Sequence, residues 1–164
     1  MRDHGRVAKA TELNHRRQPS EESGQSLMEL ALVLPLVLLL AFGTTELGRA
    51  YYQYNTLSKA IRDGARYVSS HTYSTTNIGR AQNLVVYGQT VGSSTPALPG
   101  LTTDMILVNP SGGTGPYDEI NPPQSVTVKV NNYPFSPLVP SVINLNVTFS
   151  PEVMFRYVGP NARF

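Results

Sequence analysis

Residues 30–43 read LALVLPLVLLLAFG, fourteen positions without a charge. Extended back to Gln25 and forward to Thr45, this block rises about 31 Å as an α-helix. The hydrocarbon core of a bilayer is about 30 Å thick. A core helix of a water-soluble protein keeps polar residues along one side, but here the apolar character goes all the way round, which is the pattern of a membrane-embedded helix. Two residues interrupt it. Pro35 lacks an N–H and predicts a helix kink. Glu29 lies at the start of the block, where a carboxylate in hydrocarbon costs on the order of 3 kcal/mol. Either headgroups solvate it or a cation pairs with it at the same depth.

Working outward, residues 1–24 form a short basic arm with Arg2, Arg6, Lys9, Arg16 and Arg17. It reads as a leader, not a domain. Arg49, Lys59, Arg62 and Arg66 follow the span, so the positive-inside rule leans only slightly to a cytoplasmic N-terminus. Beyond the span, residues 46–70 keep a helical period. Leu47, Ala50, Tyr54, Leu57, Ile61, Ala65 and Val68 recur at spacings of three or four, with Arg49, Gln53, Lys59, Arg62 and Arg66 largely between them. One helix from about Leu27 to Ser69 would measure on the order of 65 Å. Tyr51, Tyr52 and Tyr54 fit either interfacial anchoring or stacking on a neighbouring subunit.

From Thr72 the composition changes. Asn83–Tyr87 and Asp104–Val108 are short apolar runs bounded by turn residues. Gln124–Val130 alternates, with Val126, Val128 and Val130 on one face, and Val142–Phe149 alternates through Leu145, Val147 and Phe149. Val153–Tyr157 adds a further strand. The connection Tyr133–Pro140 is too Pro-rich for a helix or a central strand. The expected fold is α+β: a long N-terminal membrane-anchored α-helix, then a small antiparallel β-sheet of three or four strands packed on the emerging helix. The organisation follows as a leader over 1–24, a transmembrane segment over 25–45, a continuing amphipathic helix over 46–70 and a β-rich domain over 71–164.

Composition excludes several functions. The 164 residues include no cysteine, so disulfides and thiolate metal sites are impossible. A net charge of +2 is too small to argue for nucleic acid. His4 and His15 lie in the leader and His71 in a polar segment, which leaves no histidine triad or metal cluster. Gly112–Pro116 is glycine-rich but lacks the Lys-Ser/Thr of a phosphate loop. Asp118-Glu119 reads as a solvated loop pair, and the sequon Asn146-Val147-Thr148 lies within an expected strand. No catalytic site, metal, cofactor or small-molecule substrate is expected.

The junction Ser23-Gly24-Gln25-Ser26-Leu27-Met28-Glu29-Leu30 resembles a type IV prepilin cleavage site. The run from Gly24 through Leu34-Pro35 looks like the opening of TadE-like pseudopilins. Lys59-Ala60-Ile61-Arg62-Asp63-Gly64-Ala65-Arg66-Tyr67 is similar to the helix signature of that family, carried here by Arg62, Gly64, Ala65, Arg66 and Tyr67. Leu30 departs from the pattern, in which an aromatic is common. The resemblance implies a minor pseudopilin of the tight-adherence system, which assembles Flp-type pili. It implies cleavage between Gly24 and Gln25 by a prepilin peptidase, with Glu29 then the fifth mature residue, facing the free amine of a mature N-terminus. Pairing offsets much of the cost of burying two charges. The implied partners are the membrane, the peptidase, other pilin and pseudopilin subunits and the inner-membrane assembly platform. The implied placement is a single pass through the bacterial inner membrane, with the N-terminus cytoplasmic and the C-terminal domain periplasmic or in an extracellular pilus. Two other readings remain open: a secreted binding protein with a long signal peptide cut near Ala41-Phe42-Gly43, and an enzyme accessory subunit on an uncleaved signal anchor. The mature N-terminus (Gln25, about Thr44, or Met1) separates the three.

Overall fold

The computed structural model describes residues 20–138 and 147–160. The basic arm up to residue 19 and the expected strand residues 142–146 lie outside the described residues. Helix α1 spans Ser20–Ser70 and contains Pro35 without a break in its assignment. The chain divides into two compact units, the first ending at Thr45 and the second running from Glu46.

In the first unit every side chain from Gly24 to Phe42 is exposed. Near its end, the Thr44 and Thr45 hydroxyls both donate to the Ala41 carbonyl, at 3.0 and 2.8 Å. That satisfies each hydroxyl within the helix itself. Among the described residues, α1 is the one helix long and apolar enough to cross a membrane.

The second unit is α+β. After α1 come α2 (Thr75–Tyr87), a single 3₁₀ turn (Thr103–Met105), β1 (Ile106–Ser111), β2 (Ser125–Val130), β3 (Tyr133–Pro134), β4 (Thr148–Phe149) and β5 (Glu152–Arg156). Strands β1, β2 and β5 form an antiparallel sheet with β2 central; β3 and β4 pair separately. The register sets Val128 opposite Val108 and Val153, and Val126 opposite Pro110 and Phe155. The alternation read from Gln124–Val130 thus places Val126, Val128 and Val130 in the core, each fully buried. Leu57, Ile61, Ala65 and Val68 of α1 and Ala81, Val85 and Val86 of α2 complete it. Each fully buried Val, Leu or Ile contributes about 1.5–3 kcal/mol relative to an exposed one.

Two expectations are corrected. Asn83–Tyr87 is not a strand but the last part of α2. Ser74 caps that helix, its hydroxyl accepting the Asn77 N–H, and Gly88 closes it in a left-handed conformation with φ 71°. These are standard start and stop signals, and they override the β preference of Val85 and Val86. Asp104–Val108 also divides: its first two residues lie in the 3₁₀ turn and the strand begins at Ile106. The Pro-rich connection contributes only the two-residue β3, consistent with proline at a sheet edge.

The sheet edges differ. On β1, the Gln82 side chain donates to the Ile106 carbonyl (2.9 Å), and Pro110 has no N–H to offer. At the far end, the Val158 and Gly159 N–H groups both donate to the Ser69 carbonyl, at 2.9 and 3.0 Å. That supplies partners for the end of α1, where carbonyls lack intrahelical donors. Tyr157 locks the same corner: its hydroxyl donates to the His71 carbonyl and accepts the Tyr73 N–H.

Candidate functional site

In the first unit, Gly24 and Gln25 are exposed within α1, and a Cβ built on Gly24 would meet nothing within 4 Å. Glu29, one turn further along, is also exposed, at the start of the apolar block. Pro35 is exposed in mid-block.

In the second unit, the helix signature divides by face. Gly64 and Ala65 are buried, as are Ile61 and Val68 on the same stripe; Arg62, Asp63 and Arg66 are exposed. Gly64 has a definite steric reason. A Cβ there would lie 2.5 Å from Val85 Cγ2 and 3.3 Å from the Ala81 carbonyl oxygen. The absent side chain is what lets α2 come against α1. Tyr67 is half-buried and stacks on His71, with ring centroids 3.9 Å apart. The His71 Nδ1 also lies 2.8 Å from the Tyr67 carbonyl oxygen. Arg62 and Arg66 therefore project as a basic pair from a rigid helix. Among the described residues no ion pair links Asp63 to Lys59 or Arg66, although their spacing permits one.

The amphipathic reading of residues 46–70 needs a correction at its start. Leu47 and Tyr54 are exposed, whereas Glu46 and Gln53 are buried. The buried stripe runs Glu46, Gln53, Leu57, Ile61, Ala65, Val68, so it opens on two polar residues. Glu46 accounts for its own burial. Its Oε2 accepts from Arg49 at 3.0 Å, and its Oε1 accepts the Leu138 backbone N–H at 2.6 Å. Arg49 in turn lies 5.8 Å from the Phe135 ring centroid. A charged acceptor roughly doubles the strength of such a hydrogen bond, so Glu46 pins the Pro-rich connection to the helix. Gln53 Oε1 is buried and has no hydrogen-bond partner among the described residues. Glu46 escaped the sequence reading, although an acidic residue directly after the apolar block, with Arg three positions on, was a usable signal.

Tyr73 and Tyr133 are buried, and burial raises both phenols above their ordinary value of 10.0; the neighbouring Tyr117 adds to the rise at Tyr73. The Tyr133 hydroxyl donates to the Pro99 carbonyl at 2.8 Å. Both serve packing. Among the described residues, His, Asp and Glu form no group of three or more that could hold a metal ion.

The family model described as TadE-like protein matches residues 24–66. No curated protein and no solved structure matches the chain. The matched stretch opens at Gly24, takes in Glu29 and the whole apolar block, and closes on Arg66 of the helix signature. Over residues 24–66 the chain is thus similar to TadE-like proteins, and the same stretch carries a helix long and apolar enough to cross a membrane.

Proposed function

We propose that the chain is a minor pseudopilin, a structural and assembly component of a tight-adherence (Flp-type) pilus with no catalytic role. The observation that carries this reading is the TadE-like match beginning at Gly24, with Glu29 five residues on at the head of a helix apolar enough to cross a membrane. In this reading a prepilin peptidase cuts between Gly24 and Gln25 on the cytoplasmic side of the inner membrane. The new amine of one subunit then meets Glu29 of another, which sets register between helices. The domain beyond residue 46 lies in the periplasm or in the fibre. Its partners are other pilin and pseudopilin subunits and the assembly platform.

N-terminal sequencing of the membrane-fraction protein, alongside a Gly24→Leu variant, tests this. The mature chain should begin at Gln25, and the variant should accumulate as full-length precursor. A mature start near Thr44 would instead indicate a signal peptide, and Met1 an uncleaved anchor. Either result, or normal cutting of the variant, refutes the proposal.

A further inference from the structure

Within the second unit, the chain around β3 and β4 runs alongside the first turns of the helix. Phe149 meets Tyr54 edge-on, with centroids 5.8 Å apart. Phe135 tilts against Phe149 at 6.0 Å and lies beneath Arg49. Leu138 is tied by its N–H to Glu46. The contacts on the helix step from residue 54 to 49 to 46, about 12 Å along its axis. The connection leaving β3 therefore heads toward Glu46, which follows directly on Thr45 and the apolar stretch.

At this level four large side chains are about two-thirds exposed, Leu47 (64%), Tyr51 (70%), Tyr52 (68%) and Leu138 (66%), while Tyr54, edge-on to Phe149, is less so. They do not share a side. At 3.6 residues per turn, Leu47, Tyr51 and Tyr52 stand about 100°, 140° and 240° round the helix from Glu46; Leu138 occupies the Glu46 direction itself. The set forms a collar. Charge is also arranged to suit an apolar border. Between Leu30 and Ser58 the only charged residues are Glu46 and Arg49, which pair with each other. No Asp, Glu, Lys or Arg occurs from Asn131 to Ser150.

We propose that this collar is a lipid contact: Leu138, held by Glu46, rests in the headgroup region of the bilayer level with Leu47, Tyr51 and Tyr52. The domain then touches the membrane at a second point besides its helix. The azimuthal spread decides for lipid. A single protein partner covers one side of a helix, whereas lipid surrounds every side of an unassembled subunit at a given depth, and amphipathic tyrosines prefer that depth. The inference rests on the membrane-anchor reading of residues 25–45.

The chain has no tryptophan, so a single introduced one reports its own surroundings. Leu138→Trp, Leu36→Trp and Ile120→Trp variants of the full chain are reconstituted in phosphatidylcholine/phosphatidylglycerol vesicles. The acyl chains carry bromine at a shallow or a deep position. Leu138 is mostly exposed and its tie to Glu46 is through the backbone, so the substitution leaves the fold intact. Ile120 is 94% exposed, in the loop whose Tyr117 packs on Tyr73 beyond the far end of α1. The Leu36→Trp signal should be quenched most by deep bromine. Leu138→Trp should shift to the blue and be quenched more by shallow than by deep bromine. Ile120→Trp should resist both. If Leu138→Trp behaves like Ile120→Trp while Leu36→Trp is quenched, the collar is wrong and the anchor stands. A blue shift at Leu138→Trp without quenching means that protein covers it, and also overturns the proposal. An unquenched Leu36→Trp removes the anchor reading and the collar with it.

Discussion

Replacing Gly64 by alanine should destabilise the domain, although the same change favours an isolated helix. Alanine is preferred over glycine in a helix interior by about 1 kcal/mol. Against this stands the 2.5 Å separation that the new Cβ would have from Val85 Cγ2, with the Ala81 carbonyl oxygen at 3.3 Å. Val85 is fully buried and cannot swing into solvent, and the carbonyl belongs to the backbone of α2, so relief requires α2 to move off α1. Overpacking of this kind costs about 1–3 kcal/mol. The net loss should be about 1 kcal/mol, a fall in Tm of about 4 °C for a domain of this size. Gly79, inside α2 with nothing within 4 Å of its Cβ position, is the control. Gly79→Ala carries the helix gain without the clash and should raise the Tm. Thermal unfolding in mild detergent, followed by circular dichroism, reads both. Adding Val85→Ala to Gly64→Ala tests the cause: the double variant should be more stable than the sum of the two single effects by at least about 0.5 kcal/mol. If Gly64→Ala is as stable as Gly79→Ala, the close approach of the two helices is not what requires glycine.

Glu46→Ala should cost about 2 kcal/mol, because it removes a charged acceptor from a part-buried amide and leaves Leu138 N–H without its partner; a urea midpoint unchanged from the parent would refute the pinning role. Stability should also fall in alkali. Tyr73 and Tyr133 have folded pKa values raised by burial, whereas the unfolded chain ionises its tyrosines near about pH 10. Their contribution is therefore complete below that pH and is lost as the pH rises through the higher folded values. Urea midpoints should drop between about pH 9 and about pH 11, and less so in Tyr133→Phe; equal midpoints at the two pH values would contradict the burial of these phenols.

What could be read from the sequence was what depends on near neighbours. The uncharged block over 30–43 declares a helix by its length alone, and the alternation of Val126, Val128 and Val130 declares a strand with one face inward. What could not be read depends on distant partners. Leu47 fits the apolar period as well as Leu57 does, yet it is exposed, because the stripe that the domain covers opens at Glu46. Arg49, one turn on, hints that Glu46 is paired, but its burial depends also on the Leu138 amide, 92 positions away. Asn83–Tyr87 was misread for the opposite reason. The valines argue for a strand over five residues, while Ser74 and Gly88 argue for a helix over the whole of α2, and the caps act at the ends.

Gly64 joins these two kinds of information. It lies inside the stretch that matches the TadE-like model, but the atoms that exclude a side chain there belong to Ala81 and Val85, beyond residue 66 where the match ends. Ala65 likewise reaches full burial only in a core built with α2 and the sheet. The matched stretch is thus more than an anchor with a domain attached. Its last two turns form one wall of that domain, so whatever chain follows must bring an element close enough to fill the space that glycine leaves. This fixes the direction in which Arg62 and Arg66 project: with Gly64 and Ala65 turned inward against the core, the two arginines face outward.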